Sequence, residues 1–296
     1  MDVVISGSHG LIGSALIPAL KAAGHRPIRL VRAEPVGDEI KWDPAAGTID
    51  SASIEGVGGV IHLAGAGIGD KRWTPEYKRE LIESRTKGTA TLAGSISGLN
   101  RPPSVMLSGS AIGIYGNRGD QELTEDSPVG SGFLSELCLA WEGATAAASA
   151  AGIRVAHLRT GIVLSAQGGA LKKQLLPFKL GLGGRSGPGT QWQSWIAITD
   201  HVRAMLHLLD RDVAGPVNLT APNPVTNGEF AKALGKALHR PTLIPIPMLP
   251  VRLALGAELV QNLLLDGQKV LPNRLTASGF TFDQPLLSGA LASLLS

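Results

Sequence analysis

The chain has 296 residues, a length that fits one large domain or a main domain with a smaller appendage. Hydrophobic residues make up 44% and charged residues 17% of it, which allows a sizeable core and excludes intrinsic disorder. The 27 basic residues exceed the 24 acidic ones by only three, and short runs such as Lys78-Arg79 form no clustered basic face. Nucleic acid is therefore not expected as a partner.

Cysteine content and the N-terminus bear on the compartment. Cys138 is the single cysteine, so no intrachain disulfide and no cysteine-based metal cluster can form. The start, Met1-Asp2-Val3, lacks the cationic region of a secretory signal. No apolar stretch approaches the roughly 20 residues that a spanning helix needs, and the histidines show no metal-ligand spacing. We expect a cytoplasmic protein with no membrane partner and no bound metal.

Short β-branched runs alternate with segments of helical spacing. Residues 3–6 predict a buried strand, and residues 11–23 predict a helix that Pro18 interrupts. The Ala-rich residues 141–151 predict a further helix. Additional strands are predicted at residues 27–31, 59–63, 104–108, 154–158 and 217–220. This alternation predicts an α/β fold with a Rossmann-type doubly wound parallel sheet.

The sequence changes character after about residue 221. A proline-containing loop follows, and residues 241–250 hold four prolines. We therefore predict a cofactor domain at residues 1–222 and a small, mostly helical C-terminal substrate lobe at residues 223–296. The glycine-rich residues 165–195 are expected to join that lobe. Within them, residues 181–189 predict either a mobile wall over the cofactor, with Arg185 facing an anionic substrate, or a plain surface loop.

Three glycines lie between the first predicted strand and the first predicted helix. At this position a dinucleotide pyrophosphate meets backbone N–H groups and the positive end of a helix. Glycine permits the tight turn, the close approach of the phosphate and the close packing of helix on strand. We predict a cofactor site here, the alternative being a plain glycine-rich turn. The predicted contacts are Gly7, Ser8, His9, Gly10, Leu11, Ile12 and Gly13.

Val31 and Arg32 end the second predicted strand, where an NAD-binding protein usually offers an acidic residue to the ribose hydroxyls. A guanidinium there matches a 2′-phosphate bidentately, which favours NADP(H) over NAD(H). Glu34, two residues further on, keeps NAD(H) open. The plain alternative is a solvated arginine at the end of a strand.

Further motifs make a family resemblance specific. They include Ile61-His62-Leu63-Ala64-Gly65, residues 108–116, Trp141-Glu142, residues 159–164 and residues 267–272. Across nearly the whole chain the sequence resembles the atypical epimerase family of the extended short-chain dehydrogenases/reductases, of the 39U type with its characteristic C-terminal domain. The resemblance implies an NADP(H)-binding oxidoreductase or nucleotide-sugar epimerase-like protein. Its substrate would be a small molecule, such as a nucleotide sugar or a small carbonyl compound.

The same resemblance implies additional cofactor contacts. Leu63, Ala64 and Gly65, at the end of a predicted strand, would border the adenosine and the pyrophosphate. Glu80 and Arg85 match positions near the cofactor. The alternatives are a turn that packs on the sheet and an exposed salt pair on a helix.

The catalytic residues are where the chain departs from the superfamily. Its working enzymes use a tyrosine and a lysine four residues later, whose charge lowers the tyrosine pKa. Neither Tyr77 nor Tyr115 has that lysine. Ser110 matches the superfamily's catalytic Ser/Thr and could bind a substrate carbonyl or alcohol. Tyr115 is the candidate for proton transfer, although the sequence names no cationic neighbour for it.

Each of these two residues has a structural alternative: Ser110 could cap the end of a strand and Tyr115 could pack in a loop. The missing Tyr-Lys pair also supports a second hypothesis for the whole protein. In that hypothesis the chain is an NADP(H)-binding sensor or regulatory protein with little or no turnover.

Overall fold

A computed structural model describes residues 1–295 and contains a central eight-stranded sheet. The strands among these residues are β1 Asp2–Ser6, β2 Arg26–Val31, β3 Ile40–Asp43, β4 Thr48–Ile49, β5 Gly59–His62, β6 Val105–Ala111, β7 Glu122–Leu123, β8 Arg154–Thr160, β9 Ile162–Leu164, β10 Trp192–Gln193, β11 Trp195–Ala197, β12 Gly215–Leu219, β13 Val225–Thr226 and β14 Lys269–Val270. The sheet has the order β12-β8-β6-β5-β1-β2-β3-β4 and is parallel except for the β3–β4 pair. The predicted Rossmann-type doubly wound sheet is confirmed.

The helices connect these strands. They are α1 Leu11–Ala22, α2 Pro75–Ser97, α3 Phe133–Gly143, α4 Ala146–Ala150, α5 Gly169–Lys179, α6 Ile198–Asp210, α7 Asn227–Leu238, α8 Met248–Leu255, α9 Ala257–Val260, α10 Asn273–Ala277 and α11 Leu287–Leu295. Two helices have N-terminal caps formed by side chains. Thr74 accepts the Tyr77 amide ahead of Pro75, and Thr226 forms a capping box with Glu229.

Both faces of the sheet are covered by helices because its central strands are apolar throughout. Val3 and Ile5 point to the core that contains α1 and α6. Val4, between them, points to the opposite core, which contains α2 and α4. Successive side chains of a strand face opposite sides, so a run of apolar residues requires helices on both.

Two predicted elements differ from the structure in their bounds. The helix expected at residues 141–151 is two helices, α3 and α4, because the chain turns at Thr145, whose hydroxyl donates to the Glu142 carbonyl oxygen over 2.8 Å. The strand predicted at residues 104–108 continues to Ala111 as β6. This extension places Ser110 inside the sheet, hydrogen-bonded in register with β8.

A separate core builds the region beyond the sheet. It joins Leu164, Phe178 and Trp195 to Phe230 and Leu291, so residues before the twelfth strand pack with residues after it. The short β14 pairs with β7 and ties this region back to the sheet domain. The domain boundary near residue 222 stays a prediction. Within residues 1–295, no helix has the length and apolar character needed to cross a membrane.

Candidate functional site

The turn between β1 and α1 can hold an anion only because it is made of glycine. Gly7 has φ +71°, and a Cβ there would lie 2.7 Å from the Leu63 carbonyl carbon. A Cβ on Gly13 would lie 2.3 Å from the Gly7 carbonyl oxygen. Gly10 precedes α1 and offers no capping side chain. The first N–H groups of α1 therefore lack a side-chain acceptor, as a phosphate-binding helix requires.

This turn opens into a cleft of about 1570 Å³. Its walls include the predicted contacts Gly7, Ser8, His9, Gly10, Val31, Arg32, Leu63, Ala64, Gly65 and Glu80. Three further predicted contacts, from the start of α1, do not line the cleft. Ile12 packs on the core, Gly13 lies under Gly7, and Leu11 packs against Gly168. The cofactor contacts predicted from separate motifs thus converge on one cleft large enough for a dinucleotide.

The ribose end of the cleft distinguishes Arg32 from Glu34. Arg32 is exposed in the cleft wall, with no ion pair within residues 1–295. Glu34 lies outside the wall and pairs with Lys41. Glu39 does line the cleft, but its carboxylate accepts the Val36 amide over 3.1 Å. The cleft wall therefore offers an unpaired positive charge just after β2.

Glu80 has both of the properties that the sequence left as alternatives. It lines the cleft and is exposed. Its carboxylate also lies 3.5 Å from the Lys71 ammonium, which is the expected surface salt pair. An exposed pair of this kind contributes little to stability, so Glu80 is free to exchange this partner for another.

Arg85 is a buried cation without a carboxylate partner in the described chain. Its side chain packs 5.0 Å from the Trp141 ring and donates from Nη1 to the Leu81 carbonyl oxygen over 3.0 Å, while Nε has no partner. Burial lowers the pKa of Arg85. Gly65 of the cleft wall leaves room for it, because a Cβ on Gly65 would lie 3.2 Å from Arg85 Cγ. An unpaired guanidinium directly behind the wall is a candidate anion contact.

Arg85→Met is expected to separate binding from stability. Methionine keeps the packing on Trp141 and removes an uncompensated charge, so the free energy of unfolding of the cofactor-free protein should rise by about 1 kcal/mol or more. NADPH affinity should fall by about tenfold. Denaturant unfolding and fluorescence titration measure the two effects, with Arg85→Lys as the charge-preserving control. Unchanged NADPH affinity in Arg85→Met would limit Arg85 to a structural role.

Ser110 belongs to a buried polar network at the carboxyl ends of β6 and β8. Its Oγ donates to Glu142 Oε1 over 2.6 Å. Arg159 binds the same carboxylate bidentately, with distances of 2.9 Å from Nε and 3.0 Å from Nη2. Burial alone would raise the pKa of Glu142, but the hydrogen bonds from Arg159 and Ser110 lower it overall. Glu142 is therefore a carboxylate, and the Ser110 proton is committed to it.

Tyr115 continues the network into the core. Its hydroxyl accepts from Arg159 Nη1 over 3.0 Å and donates to Asn218 Oδ1 over 2.7 Å. Tyr115 is fully buried and is not part of the cleft wall. Burial raises the pKa of Tyr115, and Arg159 opposes that shift only in part. This placement supports the packing alternative for Tyr115, and proton transfer by it stays a prediction.

The network links the sheet to the C-terminal region. Asn218 Nδ2 donates to the Leu271 carbonyl oxygen over 2.9 Å, and its backbone amide donates to Glu125 Oε1 over 3.0 Å. The Arg274 amide donates to the same Glu125 oxygen over 3.2 Å. The position of the residues around Leu271 is therefore coupled to Tyr115 and, through Arg159, to Ser110.

Sequence reasoning gave no role to Glu142, Arg159 or Asn218. All three stood inside motifs of the family resemblance, but their partners are distant in sequence. The sequence does not reveal the register of β6 on β8, and this register places Ser110 beside Arg159. Arg159 is also the cationic neighbour of Tyr115 that the sequence did not identify.

Other titratable groups carry no evident chemistry. Burial raises the pKa of the Cys138 thiol to about 12 and lowers the pKa of His62 to about 4, so both are neutral near pH 7. His62 accepts from or donates to Ser6 through Nδ1 over 2.6 Å. Within residues 1–295, no group of three His, Cys, Asp or Glu side chains is arranged to hold a metal ion.

The sequence of the chain is similar to those of known proteins. Residues 3–220 match the NAD dependent epimerase/dehydratase family, and residues 246–294 match a domain of unknown function, DUF1731. Epimerase family protein Mb2239 of Mycobacterium bovis is 41% identical over 291 residues, which cover 98% of this chain and 96% of that protein.

Two solved structures are also similar. Human epimerase family protein SDR39U1 with NADPH has a TM-score of 0.90 and 35% identity, with 99% of each chain covered. A nucleoside-diphosphate sugar epimerase from Corynebacterium glutamicum has a TM-score of 0.82 and 37% identity, and this chain spans 58% of its length. The resemblance drawn from the motifs is confirmed.

Proposed function

The chain belongs to the NAD dependent epimerase/dehydratase family, and from this premise we propose that it is an NADP(H)-dependent oxidoreductase or nucleotide-sugar epimerase-like enzyme. The observation that carries the proposal is the cleft, whose lining includes both the glycine turn, suited to a pyrophosphate, and Arg32, suited to a 2′-phosphate. The NADPH-bound human relative supports the same choice of cofactor.

The residues present fit this cofactor. Gly7 to Gly10 would hold the pyrophosphate through backbone N–H groups, and the Gly13 position allows α1 to approach closely. Val31 and Arg32 would border the adenosine ribose, with Leu63 and Ala64 on the opposite wall. When bound, the nicotinamide would supply or accept hydride at a carbinol carbon of the substrate.

Ser110 is buried and lies outside the cleft wall, as Tyr115 does, and it is the group we propose for the substrate oxygen because it matches the superfamily's catalytic Ser/Thr. Because its hydroxyl proton is donated to Glu142, its oxygen keeps only acceptor capacity. This arrangement suits a substrate alcohol, whose proton can pass to Ser110 Oγ as the Ser110 proton passes to Glu142. It suits a carbonyl less well, because polarising a carbonyl would require Ser110 to release Glu142 and donate to the substrate.

A second candidate function has its own observation. The tyrosine that remains near Ser110 is buried in a satisfied hydrogen-bond network, and α3 carries no Tyr-x-x-x-Lys pair. An NADP(H)-binding sensor needs only the cleft and a coupling to another surface. The contacts from Tyr115 through Asn218 to Leu271 would supply the C-terminal part of such a coupling, and Tyr115 itself does not line the cleft.

One experiment tests both candidates. The purified protein is titrated with NADPH and with NADH, and is then screened for turnover at saturating cofactor with pooled nucleotide sugars, small carbonyls and small alcohols. Turnover that disappears in Ser110→Ala, with cofactor affinity retained, is expected for the enzyme. Tight NADPH binding without turnover would assign the sensor. Failure to bind either cofactor would overturn both.

Arg32→Ala is expected to weaken NADPH binding by about tenfold to a hundredfold, the loss of one charge-assisted guanidinium–phosphate contact. NADH affinity should be unchanged, because NADH lacks the 2′-phosphate. Paired titrations of wild type and variant measure the ratio. Arg26→Ala, at the opposite end of β2 and paired with Asp2 outside the cleft, is the matched control. Equal losses for both cofactors would make Arg32 structural.

A further inference from the structure

Two segments of the chain, residues 169–189 and residues 232–256, lie together on the surface. The Arg240 guanidinium donates to the Lys179 carbonyl oxygen over 2.8 Å, and the Ile246 amide donates to the Arg185 carbonyl oxygen over 2.9 Å. Gly184 packs so closely on the Ile244 backbone that a Cβ there would lie 2.0 Å from its carbonyl oxygen. We call this joint region the basic–aliphatic surface.

Within these two ranges the charged side chains are all basic, and the nearest acidic residues along the chain are Glu229, which interacts with Lys232, and Glu258. The two segments contain eight lysines and arginines and no aspartate or glutamate, and all eight side chains belong to exposed residues. Subtracting these eight from the chain's 27 basic residues leaves 19 against 24 acidic ones, so the rest of the protein has a negative formal charge. The two segments therefore carry more positive formal charge than the chain as a whole.

The same surface exposes large aliphatic side chains. Leu182 is 72% exposed, Leu243 is 89% exposed and Ile244 is 74% exposed. Helix α8 continues the second segment and packs on α9; it buries none of its residues and exposes Leu249 and Leu253, which are four positions apart and so share one side of the helix. Exposed aliphatic side chains scattered singly are common, but a concentration of them among basic residues calls for a partner.

We propose that the basic–aliphatic surface docks on an anionic phospholipid bilayer. Lysine and arginine side chains beside a membrane are attracted by its negative surface potential, and neighbouring leucines insert at the boundary between headgroups and acyl chains. The charge complementarity selects this occupant over a second copy of the chain, because two such surfaces would repel each other. A nucleic acid would leave the aliphatic side chains in water.

This inference revises the expectation of no membrane partner. That expectation rested on the lack of a spanning segment, and docking at the surface of a bilayer needs none. The basic–aliphatic surface could not be predicted from the sequence, because its charged residues come from two segments that only the fold brings together.

Vesicle flotation tests the proposal on the full chain. One set of vesicles contains phosphatidylcholine alone, and the other contains phosphatidylcholine and phosphatidylglycerol in equal amounts. We expect the protein to float with the anionic vesicles, and less so as salt is raised. Lys172→Glu with Lys179→Glu, and Leu249→Ser with Leu253→Ser, should each reduce this binding by about tenfold or more.

Matched variants outside the basic–aliphatic surface control for charge and hydrophobicity. Lys21→Glu with Arg211→Glu makes the same change in net charge on exposed residues elsewhere, and Leu139→Ser removes an exposed leucine of α3. Both should float as the wild type does. NADPH titration of every variant confirms that the fold is intact.

Three results would overturn the proposal: no flotation with anionic vesicles, equal losses in the control variants, or flotation that is independent of lipid charge. Binding to immobilised polyglutamate without vesicle binding would assign the surface to an acidic protein. Self-association in sedimentation without vesicle binding would assign it to a second copy of the chain.

Discussion

Replacing Arg159 with methionine is expected to lower the free energy of unfolding by about 3 to 5 kcal/mol. The guanidinium binds both oxygens of Glu142 and also donates to the Tyr115 hydroxyl. Both ends of the ion pair are buried, so removing the cation leaves a carboxylate without its counter-charge. Most of the expected loss in stability arises because Glu142 remains as a buried charge without a partner. The loss of the ion-pair attraction contributes less.

Denaturant unfolding of matched variants measures this effect. Arg159→Met combined with Glu142→Leu should recover most of the lost stability, because the double variant strands no charge. Arg26→Met removes an exposed ion pair with Asp2 and should change the free energy of unfolding by less than about 1 kcal/mol. A small loss in Arg159→Met, similar to that in Arg26→Met, would show that the network is dispensable.

The pH dependence of stability provides an independent readout. Because the pKa of Glu142 is lowered in the folded protein, its contribution is present above the ordinary pKa of glutamate and is lost as pH falls through the lowered value. In Arg159→Met the burial of Glu142 is no longer opposed by the cation, so the folded-state pKa should rise. The variant should then gain stability relative to wild type as the pH is lowered.

Gly13→Ala is expected to reduce NADPH affinity by about a hundredfold or more and to lower the free energy of unfolding by about 1 to 3 kcal/mol. The added Cβ would lie 2.3 Å from the Gly7 carbonyl oxygen and 2.7 Å from Ser8 Cα. Both are backbone atoms, which cannot change rotamer to relieve the clash as a flexible side chain can. The turn must therefore move off α1, which displaces the N–H groups proposed to bind the pyrophosphate.

Gly94→Ala is the matched control for this substitution. Gly94 lies in α2, where a Cβ would meet nothing within 4 Å. Alanine there should raise the free energy of unfolding by about 0.5 to 1 kcal/mol through helix propensity and leave NADPH affinity unchanged. Wild-type NADPH affinity in Gly13→Ala would refute the placement of the pyrophosphate at this turn.

Features encoded in consecutive residues could be predicted from the sequence. The strand at residues 3–6, the glycine turn and α1 follow one another along the chain, and each depends on its own residues more than on distant contacts. The alternation of strands and helices then indicated the doubly wound sheet. The bounds of β6 and of α3 were less accurate, because pairing with β8 and the turn at Thr145 decide where those elements end.

The sequence by itself therefore determined the fold class, the glycine turn and the position of Arg32 at the end of β2. Only the tertiary structure decided the partners of Ser110 and Tyr115, since Glu142, Arg159 and Asn218 reach them through strand register and chain crossover. It also decided that two basic segments form one surface. The physical reason is that local conformation depends on neighbouring residues, whereas buried polar pairing and surface charge depend on which distant segments the packed core brings together.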